Sequence, residues 1–185
     1  MSHHSISKIP HPINEPVRSY APGSLERTSI KERLKAMSQN KIEIPCIIGG
    51  KEVRTGKLKK AVMPHQHRHV LAEFHVAGEK ELNQAAASAL EARHEWEHLS
   101  WSSRSAVFLK AADLLAGSWR DVLNASTMLG QSKNVYQAEI DAACELIDFF
   151  RFNAAFYEQI LAQQPYSPAL TWNRSEYRSL EGFVL

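Results

Sequence analysis

Residues 139–153, EIDAACELIDFFRFN, limit the fold of this chain more than any other stretch. The apolar periodicity is helical, and Ile140, Leu146, Ile147, Phe149, Phe150 and Phe152 give a helix that is buried over most of its circumference. The same four turns carry Glu139, Asp141, Glu145 and Asp148. A carboxylate on a buried face costs several kcal/mol unless it is paired, so at least one of these acids requires a partner or a ligand.

On a wheel at about 100° per residue, Asp141, Glu145 and Asp148 fall in one narrow arc. Arg151, three residues after Asp148, is placed to pair with it. Glu145 sits where the acidic arc meets Phe149, Phe152 and Phe156. Glu139 lies on a more apolar side near the helix start, where the dipole favours a negative charge. Glu139 and Glu145 are therefore the two acids left without a partner. From the spacing alone, a solvated or inter-helix boundary position is the preferred account of both.

The remaining sequence organises around this helix. Residues 1–24 contain Pro10, Pro12, Pro16 and Pro22, which disfavour helix and central strand and give an extended arm. A short helix follows from Ser24 as N-cap, with Leu25, Ile30, Leu34 and Met37 as its apolar stripe. Gly49-Gly50 between Cys46–Ile48 and Glu52–Arg54 signals a hairpin. A second strand pair is expected across AVMP and HVLAEFHV, with His65–His69 between them. From Glu79 the pattern is helical, then again from a serine cap near residue 100 with Gly117 as a possible break. A turn at Gly130–Asn134 leads to the acidic helix, expected over Tyr136–Gln163, and two β-leaning runs close the chain.

Several chemistries are weak in this sequence. A net charge of +2 without a Lys/Arg stripe does not suit a nucleic-acid surface. There is no apolar run of about 18 residues, and residues 1–16 match neither a secretory signal nor a transit peptide. A cytoplasmic location is expected, with the mitochondrial matrix as the eukaryotic alternative. Cys46 and Cys144, in unlike contexts, form no disulfide framework and read as packing residues. His65, His67 and His69 alternate as a metal-binding strand would, but Arg68 among them argues for a polar turn. His94 and His98 share a helix face, with Glu95 and Glu97 between them, but no third ligand is identifiable and they read as solvated surface. No G-x-G-x-x-G or Walker pattern occurs.

NEPVRSYAPGSLER (14–27), IIGGKEVRTG (47–56), PHQHRHVLAEFH (64–75), MLGQSKNVYQAEIDAACELIDFFRFN (128–153) and YRSLEGFV (177–184) closely resemble the N-terminal third of the 1-pyrroline-5-carboxylate dehydrogenases. These belong to the aldehyde dehydrogenase superfamily. The resemblance implies an α/β aldehyde dehydrogenase-like fold. This portion would be mostly α-helical, with a small N-terminal β unit and a C-terminal strand, and incomplete as a domain. Residues 25–185 would be its N-terminal part, and an oligomerisation strand region would begin at about 170–182.

The implied activity is NAD-dependent oxidation of L-glutamate γ-semialdehyde to L-glutamate in proline catabolism, by a homo-oligomer. The family's nucleophile, general base, oxyanion asparagine and cofactor turn match nothing in this chain. It is therefore expected to hold no catalytic, cofactor-binding or metal-ligating residue and to be inactive alone, as an enzyme piece or as a truncated module that only binds other subunits. Ser179 stands where many members have proline. One functional position carries over: the glutamate of the E-L-I-D-F-F motif, thought to meet the substrate's ammonium group, matches Glu145. Glu139 is left as helix-end or inter-helix structure.

Overall fold

The computed structural model describes residues 6–184; residues 1–5 of the expected arm and Leu185 lie outside them. The chain from Ile6 to Tyr20 has no regular structure and runs across the helical half of the molecule. Helix α1, Leu25–Gln39, begins where Ser24 accepts the Arg27 backbone N–H at 3.3 Å, the cap expected from the sequence.

The β unit has two parts. Strands β2 (Cys46–Ile48) and β3 (Lys51–Val53) form the expected hairpin, in register Cys46 to Val53. Gly49 and Gly50 turn it at φ +56° and +73°, a conformation that L side chains resist. Strand β1 (Ile42–Ile44), not anticipated from the sequence, pairs parallel with β5 (Gln66–His75), which pairs antiparallel with β4 (Leu58–Met63). Pro45 lacks a backbone N–H and separates β1 from β2, so the two join different sheets. The expected position of the histidines changes as well. Only Pro64 and His65 make the turn, and His67 and His69 belong to β5.

The second half is helical: α2 (Glu79–His98), α3 (Trp101–Ala116), α4 (Arg120–Gln131), α5 (Val135–Ala138), a π-helical turn (Glu139–Cys144) and α6 (Glu145–Ala162). Gly117 does break the serine-capped segment: its N–H returns to the Asp113 carbonyl, and the Trp119 N–H to that of Leu114. The acidic helix starts one residue earlier than expected, where Asn134 and Gln137 form a reciprocal capping box.

Two apolar clusters hold these elements. Tyr20, Ile30 and Ala125 pack with Leu34, Met37, Met128 and Val135, joining arm, α1 and α4. Ala112, Ala143 and Ile147 pack with Leu115 and Phe150, joining α3 to the π turn and α6. The small residues let the helix axes approach closely.

Residues 163–184 contain no strand, which corrects the expected C-terminal strand. A strand exists only in a ladder, and here side chains take the backbone groups instead. Ser167 Oγ accepts the Asn173 N–H at 2.9 Å, and Gln164 Oε1 accepts that of Ser175 at 2.8 Å.

Candidate functional site

The two unexplained acids have opposite fates. Glu139 is fully buried in the π turn. The Arg120 guanidinium faces both its oxygens, with Nε 3.2 Å from Oε2 and Nη2 on Oε1. Oε2 also accepts from Tyr20 OH at 2.8 Å and Asn124 Nδ2 at 2.7 Å, and Oε1 accepts the Arg18 backbone N–H at 2.8 Å. Burial pushes the Glu139 carboxyl up, but these donors outweigh it and hold the group below its ordinary 4.5. Burial likewise opposes charge on Arg120, and the Glu139 and Glu15 carboxylates more than reverse it. Of the helix-end and inter-helix positions expected for Glu139, the structure gives the inter-helix one, a buried ion pair with Arg120 of α4.

The network continues along the arm. Glu15 bridges Arg120 and Arg151, the latter at 2.7 Å, while Arg120 Nη2 donates to the Pro16 carbonyl at 2.8 Å. Asp148 accepts the Glu15 N–H and Asn14 Nδ2, each at 2.7 Å. Its expected partner Arg151 is held by Glu15 instead, because the arm brings donors that helix spacing cannot show. Further out, the Ile9 N–H meets Glu158 at 2.9 Å. Glu139 and Glu15 pair with Arg120 and Arg151, and Asp148 and Glu158 take donors from the arm, so the cluster fastens the arm to the helices.

Glu145 lies six residues after Glu139, on the outer face of α6, exposed and without a hydrogen bond or ion pair among the described residues. Phe149, Phe152 and Phe156, at i+4, i+7 and i+11, share its face within about 40°. Phe149 is 60% exposed and Phe156 47%, and the Phe152 and Phe156 ring centroids are 6.0 Å apart. One free carboxylate therefore heads an open aromatic stripe. Such a surface can take a cationic group at one end and an apolar body along the rings.

Neither cysteine is set up as a nucleophile. Burial, then the nearby Glu139 charge, pushes the Cys144 thiol up to about 11. Cys46 Sγ rests 3.5 Å from the His75 carbonyl. His75 itself escaped the sequence reading. It is buried, with Nδ1 accepting the Gly56 N–H at 3.1 Å and Nε2 facing Glu43 at 3.0 Å, and it ties β5 to β1 and the loop after β3.

The entrance of α2 does not fit a dinucleotide pyrophosphate. The passage from β5 into α2 runs through Ala77-Gly78, and the Glu81 carboxylate occupies that helix entrance, accepting the Gly78 N–H at 2.8 Å. A pyrophosphate would meet a like charge there.

The sequence pattern of the aldehyde dehydrogenase family matches residues 53–181. Delta-1-pyrroline-5-carboxylate dehydrogenase of Agaricus bisporus is 53% identical over 180 residues, which cover 96% of this chain and 33% of that protein. The mitochondrial Delta-1-pyrroline-5-carboxylate dehydrogenase of Dictyostelium discoideum is 47% identical, over 100% of this chain and 33% of its own length. The crystal structure of the Mycobacterium tuberculosis Delta-pyrroline-5-carboxylate dehydrogenase superposes with a TM-score of 0.95 at 48% identity. The match covers 98% of this chain and 34% of that one. That enzyme has also been solved with NAD bound. The chain thus spans about a third of the length of these relatives.

Proposed function

The chain belongs to the aldehyde dehydrogenase family, and on that premise we propose that it supplies the substrate-orienting part of an NAD-dependent oxidation of L-glutamate γ-semialdehyde to L-glutamate. The observation that carries this reading is Glu145, an unpaired carboxylate heading the stripe of Phe149, Phe152 and Phe156. Its partner is the substrate's α-ammonium, and the aliphatic body of the semialdehyde lies toward the rings.

Glu145 binds and orients; it moves no proton. In this reading the reacting groups and the NAD site belong to other segments of the enzyme. Cys46 and Cys144, free and far apart, suit a reducing compartment, the cytoplasm or the mitochondrial matrix. No helix among the described residues is long and apolar enough to cross a membrane.

In the active enzyme containing this segment, Glu145→Gln is expected to raise KM for the semialdehyde about tenfold or more while leaving KM for NAD+ nearly unchanged. An unchanged semialdehyde KM removes Glu145 from the site.

A second, non-catalytic role rests on a separate observation. Leu170, Trp172, Tyr177 and Leu180 are exposed on a segment without ladder partners. Residues 170–182 are accordingly the proposed contact between subunits of a homo-oligomer.

A further inference from the structure

His94 and His98 stand one turn apart on the outer face of α2, and the structure supplies the third ligand that their spacing alone does not identify. Glu97 lies between them: His94 Nδ1 is 3.7 Å and His98 Nδ1 3.9 Å from its Oε1. One donor atom from each of the three residues falls within 4.8 Å of the other two. We infer that His94, Glu97 and His98 form a binding site for a divalent transition-metal ion of the zinc class, with two imidazole nitrogens and one carboxylate oxygen as protein ligands.

The geometry favours this set in three ways. Arg93 Nε lies 3.5 Å from Glu97 Oε2, which leaves Oε1 turned toward the imidazoles. His98 Nδ1 is 2.7 Å from the His94 carbonyl, a contact that places its proton on Nδ1 and frees Nε2 as a lone-pair donor. Both rings are exposed and the imidazole centroids are 4.6 Å apart. Both exposed rings can turn, and binding turns His98 Nε2 inward to bring the donors to the roughly 2.0–2.1 Å that zinc requires.

Beside the triad opens a polar cavity of about 360 Å³ lined by Arg93, Glu97, His98, Arg178, Ser179 and Glu181. Glu97 and Glu181 offset its two guanidiniums. Three protein ligands leave a coordination position for water. Two imidazoles select zinc, nickel or copper over magnesium and calcium, which prefer oxygen alone.

The test is calorimetric titration of the purified chain with ZnCl2 and NiCl2, with MgCl2 alongside. One saturable zinc ion per chain is expected. His94→Gln and His98→Gln, which keep helix propensity, should each weaken zinc binding about tenfold or more, and Glu97→Gln should weaken it less. His67→Gln and the pair His3→Gln, His4→Gln should leave it unchanged, and circular dichroism of every variant checks its helix content. No saturable zinc binding, binding that survives both α2 substitutions, binding lost equally in the control variants, or magnesium bound as tightly as zinc each overturns the site.

Discussion

At the scale of single residues, Glu139 and Glu145 show how little spacing says about the fate of an acid. Glu139→Gln keeps the shape but leaves Arg120 with Glu15 as its only carboxylate. It is expected to cost about 3 kcal/mol, the low end of what breaking a buried pair costs because Glu15 remains. Denaturant unfolding against Glu145→Gln, which should be nearly neutral for stability, measures it. Because the Glu139 carboxyl is held below its unfolded value of about 4.5, its contribution is complete above that pH. The contribution is lost as pH falls through the lower, folded value. Unfolding midpoints from about pH 7 to about pH 3 should therefore fall more steeply for the native chain than for Glu139→Gln. Equal slopes would mean that Glu139 is not the titrating group. A wheel cannot show this pairing, because Arg120 and Asn124 belong to α4 and Arg18 and Tyr20 to the arm. A clue was present in Arg120 and Asn124, two polar residues four apart and so on one face of α4.

Among the elements, the β2–β3 hairpin allows a sharp comparison. A Cβ on Gly50 meets open space, so Gly50→Ala costs only the strain of φ +73°, about 1 kcal/mol. On Gly49 the added Cβ would come within 2.8 Å of Ser88 Oγ on α2. Gly49→Ala is therefore expected to be the more harmful substitution in thermal melts, and Ser88→Ala should erase the excess. A Ser88-independent difference would show that the hairpin does not rest on α2. The local signals in the sequence proved readable: the Ser24 cap, the Gly-Gly turn, the Gly117 break and the start of α2 at Glu79. Each depends on neighbours within a few residues. Strand β1 and the failed C-terminal strand did not, because a ladder depends on what lies alongside, and sequence spacing carries no record of that. The candidate site divides the same way. Its aromatic stripe was legible from periodicity and Glu145 from resemblance, whereas the arm's grip on Arg120, Asp148 and Arg151 spans more than 100 residues.

As a whole molecule, the chain covers one side of its helices and leaves the other bare. Helix α2 has no buried residue, and Val107, Phe108 and Leu114 of α3 and Phe149 of α6 stand open. Apolar surface of this kind is characteristic of an interface. The purified 185-residue chain is therefore expected to self-associate. It should elute above its 20.9 kDa monomer mass in a concentration-dependent way and bind an apolar dye. A monodisperse monomer with a sharp cooperative melt would refute this. The arm has a different consequence, one of timing. Its anchors at Ile9 and Tyr20 lie 149 and 119 residues before their partners. During synthesis at roughly 5–20 residues per second, the first residues made wait on the order of ten seconds for Glu139 and Glu158 to emerge. Until then Arg120 has only Glu15 as a carboxylate, and the buried network stays incomplete. The oldest part of the chain is thus among the last to find its place.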